Sequence, residues 1–264
     1  MRKIVSLLIF LFLTLSSDAA SIDDKLKALP IDDKIKMRKF FDCSLCLRHI
    51  GHVIFFDSKP VALVSFVLKG SRPYIELMNQ KGWMCFKKHE ILFPHPRFII
   101  QDRIIEFDKN YKVCDIYFIN KKALKICLEE YHDTFFSFLG ESFTPETFIS
   151  QLEEGENLSS LVLENDTLLG ILLGYGKDSA QAYKLAQEDY SSQVCPTETE
   201  HYCGIAIPKP KGCKIFPVAF MGDPHSKEVQ RLATIYEKEL EEIWALYRQS
   251  DDSLKLVLEA LCKE

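Results

Sequence analysis

Apolar side chains recur every three or four residues along two stretches of the chain, which is the spacing of one face of an α-helix. The clearer pattern extends to Tyr247 and can begin at Asp223 or Ser226, because both residue types cap helix N-termini well. A shorter pattern leads from an aspartate to about Leu47, and residues 251–252 begin a last short helix. The spacing therefore predicts a helix near the start of the chain and a long amphipathic helix near its end.

Runs of β-branched and aromatic residues predict the strands. Residues 52–56 and 61–68 flank a short polar turn and predict a hairpin, and residues 99–107 and 111–119 predict another pair of strands. A further apolar run at residues 214–221 predicts a strand in the second half. The first half therefore combines helices with a small, mainly antiparallel sheet.

The second half is predicted to be mostly helical. Thr144 followed by Pro145 is typical of a helix start, because threonine caps the helix and proline suits its first position. Residues 165–185 predict a longer helix, in which glycines weaken the middle and predict a kink or break. Residues 191–212 end in closely spaced prolines and glycines and predict a long loop.

These elements predict one α+β domain over residues 22–264, with several helices and a small, mainly antiparallel sheet. Within it, residues 22–140 form a mixed part and residues 141–264 a mostly helical part. The composition of 47% hydrophobic and 27% charged residues is typical of a globular protein. The chain is long enough to bury a substantial core.

The chain begins with the features of a secretory signal peptide, predicted over residues 1–19. Two basic residues precede an apolar run over residues 4–15, which is shorter than the roughly 20 residues of a membrane-spanning helix. Small residues predict cleavage after Ala19, or after Ala20. We therefore expect export to the periplasm or beyond the cell as a soluble protein. A retained membrane anchor is the alternative.

The charge of the chain narrows the classes of partner. Its 33 basic and 38 acidic residues give a formal net charge of −5. A mildly acidic protein is a poor nucleic-acid partner, because neutralising phosphates needs a concentrated basic face. No motif indicates a cofactor. A protein partner is compatible with the composition, and the oligomeric state is open.

The nine cysteines include the pair Cys43 and Cys46, which has the C-x-x-C spacing of thiol oxidoreductases. A reactive first cysteine needs a helix N-terminus to lower its pKa. These two residues instead lie near the predicted end of a helix, where the dipole has the opposite effect. They are the candidate catalytic residues, and ordinary half-buried thiols are the favoured alternative.

His49 and His52 continue this series at intervals of three residues, which makes zinc binding a second hypothesis. Tetrahedral zinc normally needs a chain reversal between two ligand pairs, and this spacing leaves no room for one. Hydrogen-bonded histidines at a helix end are the favoured interpretation.

A second group of metal-binding residue types lies in the predicted loop. These four candidates are Cys195, His201, Cys203 and Cys213. They could hold zinc, or two of the cysteines could form a disulfide that fixes the loop. In an exported chain the disulfide is favoured, although the sequence does not specify the pair.

Two glycine-containing breaks beside long apolar elements are the candidate ligand contacts, because backbone groups can be exposed there. The residues are Gly174, Tyr175, Gly176, Lys177, Gly222 and Asp223. No phosphate-binding glycine motif is present. Ordinary turns and helix kinks are the favoured alternative.

Several stretches together resemble a known group of sequences. They are residues 51–62 (GHVIFFDSKPVA), 143–155 (FTPETFISQLEEG), 168–180 (LLGILLGYGKDSA) and 217–226 (PVAFMGDPHS) leading into the helix at 236–247. In these the chain resembles an uncharacterised family of exported proteins of chlamydia-related intracellular bacteria. The resemblance implies export and a single integrated domain. It implies no activity, cofactor or catalytic residue.

The sequence as a whole predicts an exported binding or interaction protein. The alternative is a cysteine-dependent enzyme, acting outside the cytoplasm either in thiol exchange or through a cysteine nucleophile. A zinc-stabilised structural protein is a third hypothesis.

Overall fold

A computed structural model describes residues 20–69, 74–191 and 203–264. In chain order its helices are α1 Ile22–Ala28, α2 Ile31–Leu47, α3 Ile50–Phe55, α4 Tyr74–His89, α5 Lys121–Glu130, α6 His132–Leu139, α7 Pro145–Glu153, α8 Leu158–Leu161, α9 Asp166–Leu172, α10 Gly176–Ser191, α11 Lys227–Gln249 and α12 Ser253–Leu261. The strands are β1 Val61–Lys69, β2 Phe98–Glu106, β3 Lys112–Asn120, β4 Cys203–Ala206 and β5 Ala219–Gly222. The predicted α+β class, with a mostly helical C-terminal part, is confirmed.

The central element is a three-stranded sheet in which β3 lies between β1 and β2. Both pairings are antiparallel, and the register places Ile119 of β3 opposite Val61 on one side and Ile99 on the other. The three strands predicted in this region are confirmed to within one residue at each end. Strands β1 and β2 are therefore the two edges of this sheet.

Helices cover both faces of the sheet. One face packs against α2, α3, α4 and α12, and buried residues such as Phe41, Phe118 and Leu258 share that core. The other face packs against α5 to α10, where Tyr117 and Phe148 are buried. The sheet is thus the middle of three layers, and the last helix of the chain belongs to the layer formed by the first ones.

Close backbone contact joins α2 to α4. A Cβ atom at Gly82 would lie 2.4 Å from the Lys36 carbonyl oxygen and 2.4 Å from the Phe40 Cβ. Only glycine fits at this crossing, because neither of those atoms can rotate away. The helix predicted to end near Leu47 is confirmed as α2.

The long predicted helix is confirmed as α11. Ser226 caps it, with its Oγ accepting a hydrogen bond from the Val229 N–H at 3.4 Å. Its apolar face buries Tyr236 and Ile243. Asp252 caps the predicted short helix that follows.

The predicted helix break in the second half is also confirmed. Helix α9 ends at Leu172 and α10 begins at Gly176, and between them Gly174 has a φ of +79°. The predicted start at Thr144 is confirmed too, since its hydroxyl accepts a hydrogen bond from the Thr147 N–H at 3.0 Å.

The strand prediction for residues 52–56 is wrong. Residues 52–55 lie in helix α3 and Phe56 follows its end, and β1 pairs with β3 instead of forming a hairpin with them. Residues 52–54 are buried and the next two half-buried, so the apolar run carries no alternation. A short apolar run of this kind does not distinguish a buried helix from a strand.

The region near residues 203–222 also differs from its prediction. Of the run predicted as a strand over residues 214–221, only residues 219–221 are extended and paired, as part of β5. The Phe216 N–H instead donates to the Cys46 carbonyl oxygen at 2.7 Å, so this stretch packs irregularly on α2. The predicted loop at residues 191–212 contains β4, and its residues 192–202 lie outside the described residues.

Candidate functional site

The outer edge of β2 carries backbone groups that point away from the sheet. In an antiparallel pair, alternate residues direct both N–H and C=O to the partner strand. The Arg97 carbonyl oxygen accepts a hydrogen bond from the Lys121 N–H at 3.0 Å, so the odd-numbered residues of β2 face β3. The N–H and C=O groups of Ile100, Asp102 and Ile104 therefore point outward.

Side chains occupy two of the outward backbone groups at the opposite edge of the sheet. On β1, the Val67 N–H donates to the Glu76 carboxylate at 2.7 Å, and Arg48 Nη2 lies 3.5 Å from the Ser65 carbonyl oxygen. Both groups point away from β3, as the same alternation requires. A protein commonly protects an edge strand in this way, because open backbone groups invite pairing with other chains.

The start of β2 is closed as well. The Phe98 N–H donates to the His95 carbonyl oxygen at 2.9 Å, and His95 Nδ1 lies 3.1 Å from the Phe98 carbonyl oxygen. Beyond this point, the outward backbone groups of Ile100, Asp102 and Ile104 make no hydrogen bond to another described residue. We call residues 100–104, which carry these groups, the open β2 edge.

A groove of about 560 Å³ runs along the first half of β2, from Phe98 to Asp102, and so includes the start of the open β2 edge. His95 and Pro96 form one end, and residues of α7 and the following turn, among them Leu152 and Asn157, line it farther along. At the same His95 and Pro96 it adjoins a second groove of about 760 Å³ that reaches Ala20 at the start of the described chain. An extended segment beside β2 has room in the first groove.

Gln101 fixes the chain that lines the groove. Its side chain lies on the opposite face from that of Asp102, and its Nε2 donates to the Glu156 carbonyl oxygen at 2.7 Å. Its Oε1 accepts a hydrogen bond from the Leu158 N–H at 3.2 Å. These bonds hold the turn after α7 against the sheet without using the outward backbone groups of β2.

The side chains of the open β2 edge alternate in a regular way. Those of Ile100, Asp102 and Ile104 share one face of the sheet, where Ile100 is buried and Ile104 is 58% exposed. Burial and the nearby Asp102 carboxylate raise the pKa of Cys114 to about 12. The Asp102 carboxylate forms no ion pair with the other described residues.

A separate polar cluster is buried at the junction of α3, α11 and the break before α10. Lys59 is 2% exposed, donates to the Leu173 carbonyl oxygen and lies with its Nζ 4.9 Å from the centre of the Tyr175 ring. Burial lowers the pKa of Lys59 to about 7. An amine at this depth costs free energy whenever it carries its charge.

His52 and Glu239 form the second part of this cluster. His52 Nδ1 lies 2.8 Å from Glu239 Oε2, and His52 Nε2 is buried without a partner in the described chain. Burial, with a smaller effect of Lys59, lowers the pKa of His52 to about 3, whereas burial raises the pKa of Glu239 to about 7. The imidazole is therefore neutral near pH 7. The expectation that this histidine is fully hydrogen-bonded at a helix end is wrong.

The cluster locks the helix break in place. The Tyr236 hydroxyl donates to the Gly174 carbonyl oxygen at 2.6 Å, and a Cβ at Gly174 would lie 2.4 Å from that hydroxyl. A cleft of about 110 Å³ lies beside it, but at its rim Arg231 is already paired with Glu130 at 2.6 Å. The polar groups of the cluster bond mainly to one another and to the backbone, and not to the space of the cleft. The main role of the cluster is therefore structural.

The structure brings the predicted ligand-contact residues to one region, where α10 and α11 begin. Glu228 of α11 accepts a hydrogen bond from the Asp178 N–H at 2.8 Å, and a Cβ at Gly176 would lie 2.7 Å from its carboxylate. Asp223 accepts from the His225 N–H at 2.8 Å within its own turn. Gly222 ends β5, and Lys177 is half-buried in the first turn of α10. The start of α10 is thus occupied by a carboxylate of the same chain.

The candidate catalytic pair lies in the last turns of α2, as predicted. Burial, and to a lesser degree the Asp42 carboxylate, raises the pKa of Cys46. Asn79 Nδ2 donates to Cys43 Sγ at 3.4 Å. The raised pKa favours the neutral thiol of Cys46 over the thiolate that attack requires.

The candidate metal group falls largely outside the described chain. Cys195 and His201 are not among the described residues, and of Cys203 only the backbone is described. Cys213 is buried, with its Sγ donating to the Ile215 carbonyl oxygen at 3.6 Å. In the described ranges no three histidine, cysteine or acidic residues converge as metal ligands would.

Sequence reasoning missed the open β2 edge. The one signal for it is the polar triplet Gln101, Asp102 and Arg103, which interrupts a β-forming apolar run. Comparisons with models of known families, with curated proteins and with solved structures give no match. Of the helices in the described part of the chain, none has an apolar stretch of the length needed to cross a bilayer.

Acid should destabilise the protein partly through His52. The folded pKa of about 3 lies below the ordinary 6.5, so the unfolded chain binds a proton that the folded chain does not. This contribution to stability is complete above about pH 6.5 and is lost as the pH falls towards 3. Glu239 has the opposite effect, because its raised pKa makes the folded state more stable as the pH falls from about 7 to 4.5. The test therefore compares the free energy of unfolding of two variants at each pH.

We expect the stability of wild type relative to His52→Gln to fall by about 2 to 3 kcal/mol between pH 7 and pH 4. Urea unfolding at each pH measures this. His225, which is exposed in the turn before α11, supplies the control, and His225→Gln should follow the wild-type curve. Parallel curves for wild type and His52→Gln would show that His52 titrates normally in the folded protein.

The thiols should react slowly. Because the pKa of Cys46 is raised, we expect iodoacetamide at pH 7.5 to alkylate it in the native protein at least about tenfold more slowly than free cysteine. Peptide mass spectrometry after timed quenching measures each site, and protein unfolded in urea gives the reference rate. Alkylation of native Cys43 or Cys46 faster than free cysteine would favour the enzyme hypothesis.

Proposed function

We propose that this chain is an exported binding protein that adds an extended segment of a partner protein to its sheet as a fourth strand, beside β2. The observation that carries the proposal is the difference between the two edges. Arg48 and Glu76 occupy the outward Ser65 C=O and Val67 N–H of β1, whereas the outward groups of Ile100, Asp102 and Ile104 have no such partners, and a groove adjoins the first two of these residues. Strand addition of this kind takes its affinity from main-chain hydrogen bonds and its selectivity from alternate side chains.

Charge favours a different protein over a second copy as the occupant. If two copies paired antiparallel about the middle of their open β2 edges, their Asp102 carboxylates would face each other. Like charges directly opposite are destabilising in a sheet. Asp102 thus disfavours the symmetric dimer while leaving its own N–H and C=O open to another chain.

Export is the second part of the proposal, and it rests on the sequence alone. The predicted signal peptide, residues 1–19, lies outside the described residues. The first described helix is compatible with its removal, because Ser21 caps α1 by accepting a hydrogen bond from the Asp24 N–H at 3.2 Å. Cleavage after Ala19 or after Ala20 leaves that cap in place. Membership of the family of exported proteins stays a prediction.

The cysteine-dependent enzyme gains no support from the surroundings of the thiols. Burial raises the pKa of each described cysteine whose pKa differs from its ordinary value, including Cys85 and Cys127. A nucleophilic or redox-active cysteine needs the opposite shift. We therefore propose binding alone.

Blocking the open β2 edge should abolish binding. Asp102→Pro removes one outward N–H without removing a hydrogen bond of the sheet, and proline is tolerated on edge strands. The probes are fluorescein-labelled pentapeptides of the form Val-Thr-X-Thr-Val, with Lys, Thr or Glu at X. We expect wild type to bind at least one of them, and Asp102→Pro to weaken that binding at least about tenfold. Fluorescence anisotropy measures the affinity.

Asp102→Asn is the matched control, since it keeps the N–H and nearly the shape of the side chain and should still bind. Circular dichroism and thermal unfolding establish that both variants fold like wild type. A peptide N-methylated on alternate residues should fail to bind, because it lacks the main-chain donors. Equal binding by wild type and Asp102→Pro would overturn the proposal.

Export predicts a shortened N-terminus. When the full chain is expressed in a bacterium, we expect the protein recovered from the periplasm or medium to begin at Ala20 or Ser21. Mass spectrometry of the intact protein measures this. Leu11→Arg places a charge in the apolar run and should leave the protein unprocessed inside the cell. A wild-type protein that keeps Met1 in the membrane fraction would instead indicate an anchor.

A further inference from the structure

We infer that the segment bound at the open β2 edge carries a lysine or arginine with an apolar residue two positions away on each side. This inference rests on the proposed function and names the class of partner. It follows from the side chains that β2 offers to a neighbouring strand.

Three side chains of β2 would lie beside alternate residues of the bound segment. Ile100, Asp102 and Ile104 lie on one face of the sheet, in the order apolar, acidic, apolar. Residues directly opposite in paired strands have Cβ atoms about 4.5 to 5.5 Å apart, so each selects its own neighbour. The pattern in the bound segment that complements these side chains is apolar, basic, apolar. Because this order is symmetric, it is the same for a parallel and an antiparallel segment.

The two apolar positions have a place to bury their side chains. Ile100 belongs to the core of the sheet face that packs on α2 and α4, while Ile104 is 58% exposed at the rim of the same face. A neighbouring apolar side chain would cover Ile104 and extend that core outward. Burial of this surface stabilises the added strand through the hydrophobic effect.

The basic position is defined by charge. The Asp102 carboxylate has no ion-pair partner among the described residues, so a lysine or arginine opposite it would meet an unneutralised acid. Its environment is partly solvated, which limits the gain to a few-fold in affinity. This ion pair therefore determines which segments bind and in which register, while the main-chain hydrogen bonds supply most of the binding free energy.

The alternate face enforces that register. Shifting the segment by one residue would move its basic side chain to the face of Gln101 and Arg103. Arg103 Nη2 lies 3.1 Å from Glu164 Oε1, so that face already holds a cation with its own partner. A second cation there would compete with Arg103 for a carboxylate that is already paired, so it gains less than opposite Asp102, and short polar residues suit these positions.

The test compares four labelled peptides by fluorescence anisotropy: Val-Thr-Lys-Thr-Val, Val-Thr-Thr-Thr-Val, Val-Thr-Glu-Thr-Val, and Val-Lys-Thr-Thr-Val, in which the lysine is moved by one position. We expect the first to bind wild type about threefold more tightly than the second and about tenfold more tightly than the third. The fourth has the same composition as the first and should bind several-fold more weakly. Raising the salt concentration should reduce all these differences.

Asp102→Asn should bind the first three peptides with equal affinity, while Asp102→Pro should bind none. If wild type binds all four peptides equally and Asp102→Pro abolishes binding, the inferred pattern is wrong and the proposed function stands. If no peptide binds wild type, both are wrong. A protein that is dimeric in light scattering, and becomes monomeric with Asp102→Pro, would assign the open β2 edge to a second copy and overturn both.

Discussion

The structure depends on the position of β3, which is paired on both sides and covered on both faces. Because successive backbone groups alternate, the pairing of Ile119 with Val61 and Ile99 fixes the direction of every other group in the sheet. It decides that Ser65 and Val67 present their groups to Arg48 and Glu76. The same alternation leaves alternate groups of β2 facing outward, so one register sets which backbone groups each edge presents.

The buried polar cluster is a second constraint, and it acts on the helices. Lys59 and Tyr236 both bond to the backbone of the break between α9 and α10, while Glu239 holds His52 of α3. Three segments far apart in the sequence are thereby joined at one point. Removing one member would leave the others buried and unsatisfied, which is costlier than replacing the whole set by apolar groups. The cluster thus specifies one arrangement of the helices.

The local sequence pattern predicts much of the fold, and the wrong predictions fall where no such pattern marks the element. The strands at 98–106 and 112–120 and the helix at 227–249 carry clear periodicity, so the sequence predicts them. Residues 52–54 are buried in α3 and the next two are half-buried, which removes the alternation that would have identified them. The open edge is less predictable still. Which strand lies outermost depends on the order β1, β3, β2, which no local pattern encodes.

An open edge is a hazard as well as an opportunity, because it can pair with any extended chain, including another copy. At β2 the closure by His95 shortens the exposed stretch, and the fixed turn after α7 bounds the groove beside it. Asp102 then places one negative charge at the centre of what remains. The same carboxylate that would repel a second copy would attract a cation from a different chain. A single side chain can therefore keep the edge from pairing with itself and select what it does pair with.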